Sequence, residues 1–576
     1  MTIPRNLRGR AAPLVLAAAA AATALAQQTP TPAPHSSRAG SVVRSVDVAI
    51  TNIDVIVSDS KGNRVAGLKK EDFEVVEDGL DQPITNFYAV EGGTVTLFGD
   101  EAMPTPPPPI PGVPAPTPGV SVPLPKTWIV IFIDNLHLTP FNRNRVLKSL
   151  EDWVRATVKS DVQAMVVTWD RSLKVRRKFT GEARDIADVL RQVEEISANR
   201  VSSIGERRDV IQAIDDAQNQ DSAIYRVRQY AESQANDLQF TFDAMKTTLN
   251  QLAGVEGRKI MVHVSEGLPQ SPGAELWSYI QDRFHSIGGM TEQFTFDRTT
   301  SYAGIVQSAN AAGVSLYMFD ASGLAANDAA SAENKTTSGR IDSFVERSNL
   351  QSMLTMMAEE TGGVAVLNRN DVSVPLKDLQ KDVTSYYSLG YRSLRSGSDR
   401  PHKISVKVKR KGLVARARRG YVEKSPDTRA SEAVTSALYF PRDENPLSVG
   451  LEVGAPVPAD KQNYLVPLRL RVPYARLTML PEGAKLKGRM LLYFIVVDAS
   501  GQESDLSTQT VPVELDAKDG ETLAKKDFVY VVKLLMIPGG QRLSLAVRDQ
   551  ITNTISYVQK NIFVSALPPE KKAAGG

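Results

Sequence analysis

Five short apolar runs between residues 127 and 371 constrain this chain most: "WIVIFID", "VQAMVVTW", "KIMVHV", "VSLYMFD" and "GVAVLN". Each is rich in β-branched or aromatic residues and apolar on both faces, which suits a parallel sheet covered on both sides. Helical patterns separate them, so the alternation predicts strands joined by crossover helices. After the first run, Thr139 and Pro140 have the chemistry of a helix N-cap and first helical position. Val146, Leu147, Leu150, Trp153 and Val154 then recur at helical spacing. Residues 205–252 hold no proline and read as a long helical pair inserted in this region.

The flanks switch to the strand period. Residues 42–97 alternate apolar and polar and predict an N-terminal β-domain. Residues 103–125, "MPTPPPPIPGVPAPTPGVSVPLP", carry too many prolines for a helix or a central strand and predict a stiff extended linker. Residues 386–422 predict a β-hairpin extension turning at Lys411-Gly412, with Lys403, Lys407, Lys409, Arg416 and Arg418 on a solvent face. A polar link follows near 423–440. About seven strands in 440–566 predict a C-terminal β-sandwich, and 567–576 a disordered tail. The fold expected is therefore multidomain: a central doubly wound, Rossmann-like α/β sheet over 127–371, with β-sandwich domains at both ends.

Composition bounds the setting. Arg5, Arg8 and Arg10 precede an apolar stretch ending in Ala24-Leu25-Ala26, which reads as a signal peptide over 1–26 and predicts export to the periplasm or beyond. The chain has no Cys, which excludes disulfides, thiolate metal sites and Cys nucleophiles. No later segment has the uninterrupted apolar length of a transmembrane helix. A net charge of +3 over 576 residues, without single-sign blocks, gives no electrostatic footprint for nucleic acid.

Catalytic signatures are absent: no phosphate-cradling G-x-x-x-x-G-K-[ST], no G-x-G-x-x-G after a strand, no H-E-x-x-H and no G-x-S-x-G. The five His residues, at 35, 137, 263, 285 and 402, are scattered. The predicted sheet does bring polar residues to the C-terminal ends of its strands: Asp134, Asp170, Ser265 with Glu266, and Asp320 with Ser322. Ligands of open α/β sheets bind along that edge, and carboxylates there suit a hard cation; the same residues also cap helices and form turns.

The ordered segments "WIVIFID", "AMVVTWD", "LAGVEGRKIMVHVSEGLP", "ANAAGVSLYMFDASGL" and "LTMMAEETGGVAVLNRND" resemble a von Willebrand factor type A (VWFA) domain. With "NIDVIVSDSKGNRVAGLKKEDFEVVEDG" and "YYSLGYRS", the likeness narrows to a VWFA-related group of exported proteins abundant in Acidobacteria, and covers roughly residues 42–422. The resemblance implies a metal-ion-dependent adhesion site: D-x-S-x-S after the first strand, a loop Thr, and an Asp after the fourth strand. Asp134 matches the leading Asp, but the two Ser positions are Leu136 and Leu138, which have no ligand atom. The later T-D-G is here Ser265-Glu266-Gly267, and Ser202 or Ser203 falls near the loop Thr. Asn135 and His137 are the available replacement ligands.

These readings predict an exported, non-enzymatic binding protein whose recognition edge is a degenerate adhesion site, with Asp134, Asn135, His137, Ser265 and Glu266 as binding residues and a protein or cell-envelope ligand as partner. No cofactor is expected. The alternative is a Mg²⁺ or Ca²⁺ site built on Asp134, Ser203 and Glu266; a hydrolase reading has only Ser265 and His263 to draw on.

Overall fold

The computed structural model describes residues 50–97, 126–285, 288–324, 343–393, 398–460, 462–519 and 525–565. The predicted signal peptide (1–26), proline-rich linker (103–125) and tail (567–576) lie outside them, as do residues 42–49 of the expected N-terminal domain. The chain divides into two compact units, one ending at Lys424 and the other beginning at Ser425.

The first unit is built around a six-stranded sheet: β1 (Thr127–Asp134), β2 (Val162–Trp169), β3 (Leu173–Thr180), β4 (Arg258–Ser265), β5 (Val314–Asp320) and β6 (Ala365–Val366). Its spatial order is 6-5-4-1-2-3; β3 runs antiparallel to β2 at one edge and every other pair is parallel. The connections are α1 (Pro140–Thr157), α2 (Ala183–Glu194), α3 (Arg200–Asp216), α4 (Gln220–Ala253), α5 (Ala274–Phe284), α6 (Gly288–Thr295), α7 (Thr299–Ala312), α8 (Ser343–Glu360) and α9 (Ser373–Thr384). Ile129, Ile131, Ile133, Ile260, Val262 and Val264 project to one face and join Leu147, Leu150, Leu190 and Leu376 from α1, α2 and α9 in one core. On the opposite face Val130, Phe132, Met261 and Met318 are equally buried; α7 and α8 pack on β5, and α4 packs on α7. Burial on both sides is why these strands read as continuous apolar runs. The predicted helical pair is α3 and α4, which break at Ala217–Asn219, where the Asn219 side chain accepts from the Ser222 amide. One stripe of α4, from Ala223 through Phe242 to Leu252, is buried along its whole length.

Residues 50–97 and 386–422, which local periodicity separates into an N-terminal domain and a hairpin, form one two-sheet sandwich. Strand 50–59 is flanked by 386–392 and 413–416, and strand 73–77 by 80–82 and 401–408. Ile53, Val55, Phe73, Val75, Tyr387, Leu389 and Ile404 share its core. The expected hairpin is not one: 401–408 and 413–416 belong to different sheets. Nor is its basic face a solvent face throughout. Arg416 is drawn inward and Arg418 donates to the Asn52 carbonyl at 2.8 Å. Partners three hundred residues apart leave no local signal, so the sequence pattern could not join these pieces.

The sandwich meets the α/β region at Asp382, near the end of α9 and 1% exposed. Its carboxylate accepts from Arg64 Nε at 2.7 Å, from Tyr317 Oη at 2.9 Å and from Arg416 Nη2 at 2.5 Å. Arg258, opening β4, donates to the Asp382 carbonyl and stacks 4.3 Å over the Tyr386 ring. Gly363, entering β6, is required by close approach, since a Cβ there would lie 1.8 Å from the Leu316 carbonyl oxygen.

In the second unit, α10 (Pro426–Ala437) occupies the span expected to be a polar link, with Ser425 accepting from the Thr428 amide as its N-cap. Its buried stripe is Ala430, Ala433, Val434 and Ala437, too small to stand out as an apolar pattern. Two antiparallel sheets follow. Strands 450–453, 457–458, 464–473 and 527–536 form one, and 480–482, 485–498, 507–516, 539–549 and 555–564 the other. Val466, Leu468, Leu534, Leu492, Phe494 and Leu545 fill the space between them.

Removing the Asp382 carboxylate leaves the partly buried Arg64 and Arg416 guanidinium groups and the buried Tyr317 hydroxyl without their shared partner, a loss of about 2–3 kcal/mol. Asp382→Ala is expected to unfold at markedly lower denaturant than the wild type; an unchanged first transition would remove this junction from the account of stability.

Candidate functional site

Each strand of the parallel sheet ends on the same edge, and the residues that follow β1, β4 and β5 define a crevice there. After β1 the chain makes one tight 3-10 turn, Asn135–His137, capped by Asp134. The Asp134 carboxylate is fully buried; it accepts from the His137 amide at 3.3 Å and lies 2.8 Å from His137 Nδ1. Asn135 points away from the crevice: its side-chain oxygen accepts from Arg143 Nη1 at 3.2 Å, and its carbonyl accepts from the Asn199 amide. Arg143 is itself buried, donating to the Ile196 and Glu194 carbonyls, and burial lowers its pKa. Leu138 lies in the core beneath α1, while Leu136 is buried at the crevice wall.

After β4, Ser265 is fully buried and its hydroxyl accepts from the Gly267 amide at 3.3 Å. The Glu266 carboxylate accepts from both the amide and the hydroxyl of Thr139, at 2.6 and 2.5 Å. Thr139, expected to cap α1 with its side chain, therefore spends that hydroxyl on Glu266. Arg200 closes the other side, with Nε 3.4 Å from Glu266 Oε2 and Nη1 donating to the Glu266 carbonyl at 2.7 Å. Beyond it Arg207 bridges Glu275 at 3.1 Å and Glu346 at 2.9 Å. Burial works against the charge on Arg207, and these two carboxylates more than offset it, raising its pKa. After β5, Asp320 accepts from the Ser322 amide and hydroxyl and from Gln351 Nε2.

These groups line two adjoining cavities of about 110 and 180 Å³. Arg200, Glu346 and Leu350 border both. Of the residues expected at the site, the structure brings His137, Ser203 and Glu266 to the cavity walls. Asp134 stands behind His137 and orients it, and Asn135 and Ser265 serve the backbone around them. Arg200, Arg207, Glu346 and Gln351 were not anticipated. Charged residues in a helical pattern read as a solvated face, and only the fold turns the N-terminal halves of α3 and α8 toward the strand ends.

The donors present do not fit a divalent ion. The two Ser ligands of the adhesion motif are buried leucines, the Asp134 carboxylate is taken by His137, and Glu266 is taken by Thr139 and a guanidinium. Among the described residues no group of three or more His, Asp or Glu is arranged to hold a metal. No hydrogen bond joins Ser265 to His263. The His263 ring is fully buried, stacked 5.4 Å from Phe132, with neither nitrogen hydrogen-bonded among the described residues and Nε2 3.9 Å from Asp134 Oδ2. What the crevice offers is directional hydrogen bonding and charge of both signs, held rigid by the side chains' mutual pairing.

No family model matches the chain, and no curated protein matches it. Solved structures similar to it include an aerotolerance-related membrane protein from Bacteroides fragilis (10% identity, 45% of this chain and 98% of that one, TM-score 0.21). Others are the conserved hypothetical protein BatB from Bacteroides thetaiotaomicron (11%, 45% and 97%, TM-score 0.20) and the PilB minor pilin from Streptococcus sanguinis (10%, 60% and 89%, TM-score 0.26). Likenesses this distant carry no argument about fold or function.

The site makes stability depend on pH. Burial pushes the His263 imidazole down to about 4 from an ordinary 6.5, with Asp134 opposing and His137 adding to the shift. The folded protein thus keeps His263 neutral where the unfolded chain protonates it, so stability is lost as pH falls from 6.5 toward 4, by up to about 3 kcal/mol. His263→Leu is expected to flatten the loss in that window, measured by denaturation at a series of pH values; parallel curves for variant and wild type would assign the acid sensitivity elsewhere.

Proposed function

We propose that the chain is an exported, non-enzymatic binding protein in which a VWFA-like domain with a degenerate metal-ion-dependent adhesion site recognises a protein or cell-envelope ligand. The observation that carries this reading is Arg200. At the strand-end crevice a guanidinium stands against Glu266, so the cationic group that an adhesion site takes from solution is supplied here by the chain itself. Sheet order 6-5-4-1-2-3 with one antiparallel edge strand supports the VWFA-like assignment. Export rests on the N-terminal arginines and the apolar stretch ending in Ala24-Leu25-Ala26. No helix among the described residues is long and apolar enough to cross a membrane.

Two features disfavour the metal-dependent alternative on Asp134, Ser203 and Glu266: both carboxylates are engaged, and Arg200 would repel a cation brought to Glu266. The hydrolase reading lacks an activated nucleophile, because Ser265 is buried and His263 makes no hydrogen bond to it.

Capture of a ligand from an envelope fraction by the immobilised full chain is expected to persist in EDTA and to weaken at least about tenfold in Arg200→Glu. Titration with Mg²⁺ or Ca²⁺ is expected to give no heat. EDTA-sensitive capture would favour the metal-dependent module, and equal capture by Arg200→Glu would move recognition off this edge.

A further inference from the structure

The C-terminal unit carries a strand that its own sheet leaves half used. Strand 527–536, "DFVYVVKLLM", pairs with 464–473 in an unbroken antiparallel register from Pro473↔Asp527 to Tyr464↔Met536. Among the described residues no strand lies on its other side. Ten residues without proline or bulge form an edge of the kind that proteins ordinarily guard. The neighbouring edge is guarded. Strand 507–516, in the second sheet, is tied to this one through Gln509 Nε2 and Tyr530 Oη at 2.5 Å and carries Pro512, which cannot donate to a new ladder.

The side chains on this edge strand alternate. Val532, Leu534 and Met536 enter the core, while Asp527, Val529, Val531 and Lys533 are exposed, the two valines by 50% and 49%. Neither Asp527 nor Lys533 forms an ion pair among the described residues. Against an antiparallel copy of itself, with a two-fold axis through Tyr530, the exposed set is self-complementary. Asp527 falls opposite Lys533, Val529 opposite Val531, and each pair occurs twice. Moving the axis to Val529 sets Lys525 against Lys533, and moving it to Val531 sets Asp527 against Leu535 and Lys533 against Val529. One register satisfies every exposed position.

We propose that strand 527–536 pairs antiparallel with the same strand of a second copy of this chain, about a two-fold axis through Tyr530, so that two sheets become one. The contact is isologous and closes on itself, so it yields a dimer and no fibre. Backbone hydrogen bonds supply the adhesion, and the Asp527–Lys533 pairs fix the register.

Sedimentation equilibrium of the full chain through the micromolar range tests this. A monomer–dimer equilibrium is expected. Lys533→Glu sets two like-charged pairs in the ladder and should weaken dimerisation about tenfold, and Asp527→Lys should do the same. The double variant Asp527→Lys/Lys533→Glu restores opposite charges and should recover wild-type association. Both substituted positions are exposed, so each variant's thermal transition should match the wild type. A wild type that stays monomeric, a single variant that dimerises as tightly as wild type, or a double variant that fails to recover would each overturn the proposal.

Discussion

The first unit depends on one buried carboxylate. Asp382 lies on α9, yet the groups that satisfy it come from the turn after the first sandwich strand (Arg64), from the middle of strand β5 (Tyr317) and from the returning β segment (Arg416). A buried carboxylate is costly unless its lone pairs are taken up, and here two cations and a phenol take them. The same contacts fix orientation. Arg258, which also binds Asp382, opens β4 at its N-terminal end, so the sandwich docks at the edge opposite the crevice. The strand-end edge stays open because the other end of the sheet is committed.

At the open edge the polar side chains are satisfied by one another. His137 satisfies Asp134, Thr139 and Arg200 satisfy Glu266, and Glu275 and Glu346 satisfy Arg207. The result is a set of ion pairs partly withdrawn from solvent, where Coulomb attraction is stronger than at the surface and the geometry is correspondingly fixed. His263 is the exception. It sits one layer below, stacked on Phe132, and behaves as an aromatic core residue whose nitrogens are tolerated only while neutral.

The sequence revealed what is periodic and concealed what is paired. Five of the six strands of the α/β sheet, the α3–α4 pair and the long C-terminal strands were legible because burial on one or both faces leaves a repeating apolar signal, whereas the charged antiparallel edge strand β3 and the short exposed strands 457–458 and 480–482 leave none and were missed. The joining of 50–97 to 386–422 was not, since Arg64 and Asp382 lie 318 residues apart. Helix α10 escaped because alanine buries a face without raising local hydropathy. At the crevice, Asp134, Glu266 and Asp320 could be found from strand ends alone, whereas Arg200 and Arg207 required knowing which way α3 faces. The leucines at 136 and 138, read from sequence as lacking a ligand atom, are buried at the crevice wall and under α1, and the Glu266 carboxylate beside them is engaged by Thr139 and Arg200.

The nesting of the α/β region inside the sandwich also sets an order of events. Strand 50–59 takes both of its neighbouring strands, 386–392 and 413–416, from beyond the α/β region; from its own side it is met at its last residues by the turn through Arg64 and Val65. A chain emerging from its N-terminus therefore presents most of that strand unpaired until more than three hundred further residues have followed. The α/β sheet, by contrast, contains all its own partners and can close before the sandwich does. Once closed, it draws the two distant halves together and shortens the loop whose entropy opposes their pairing. The inserted domain thus acts as the clasp of the domain that surrounds it.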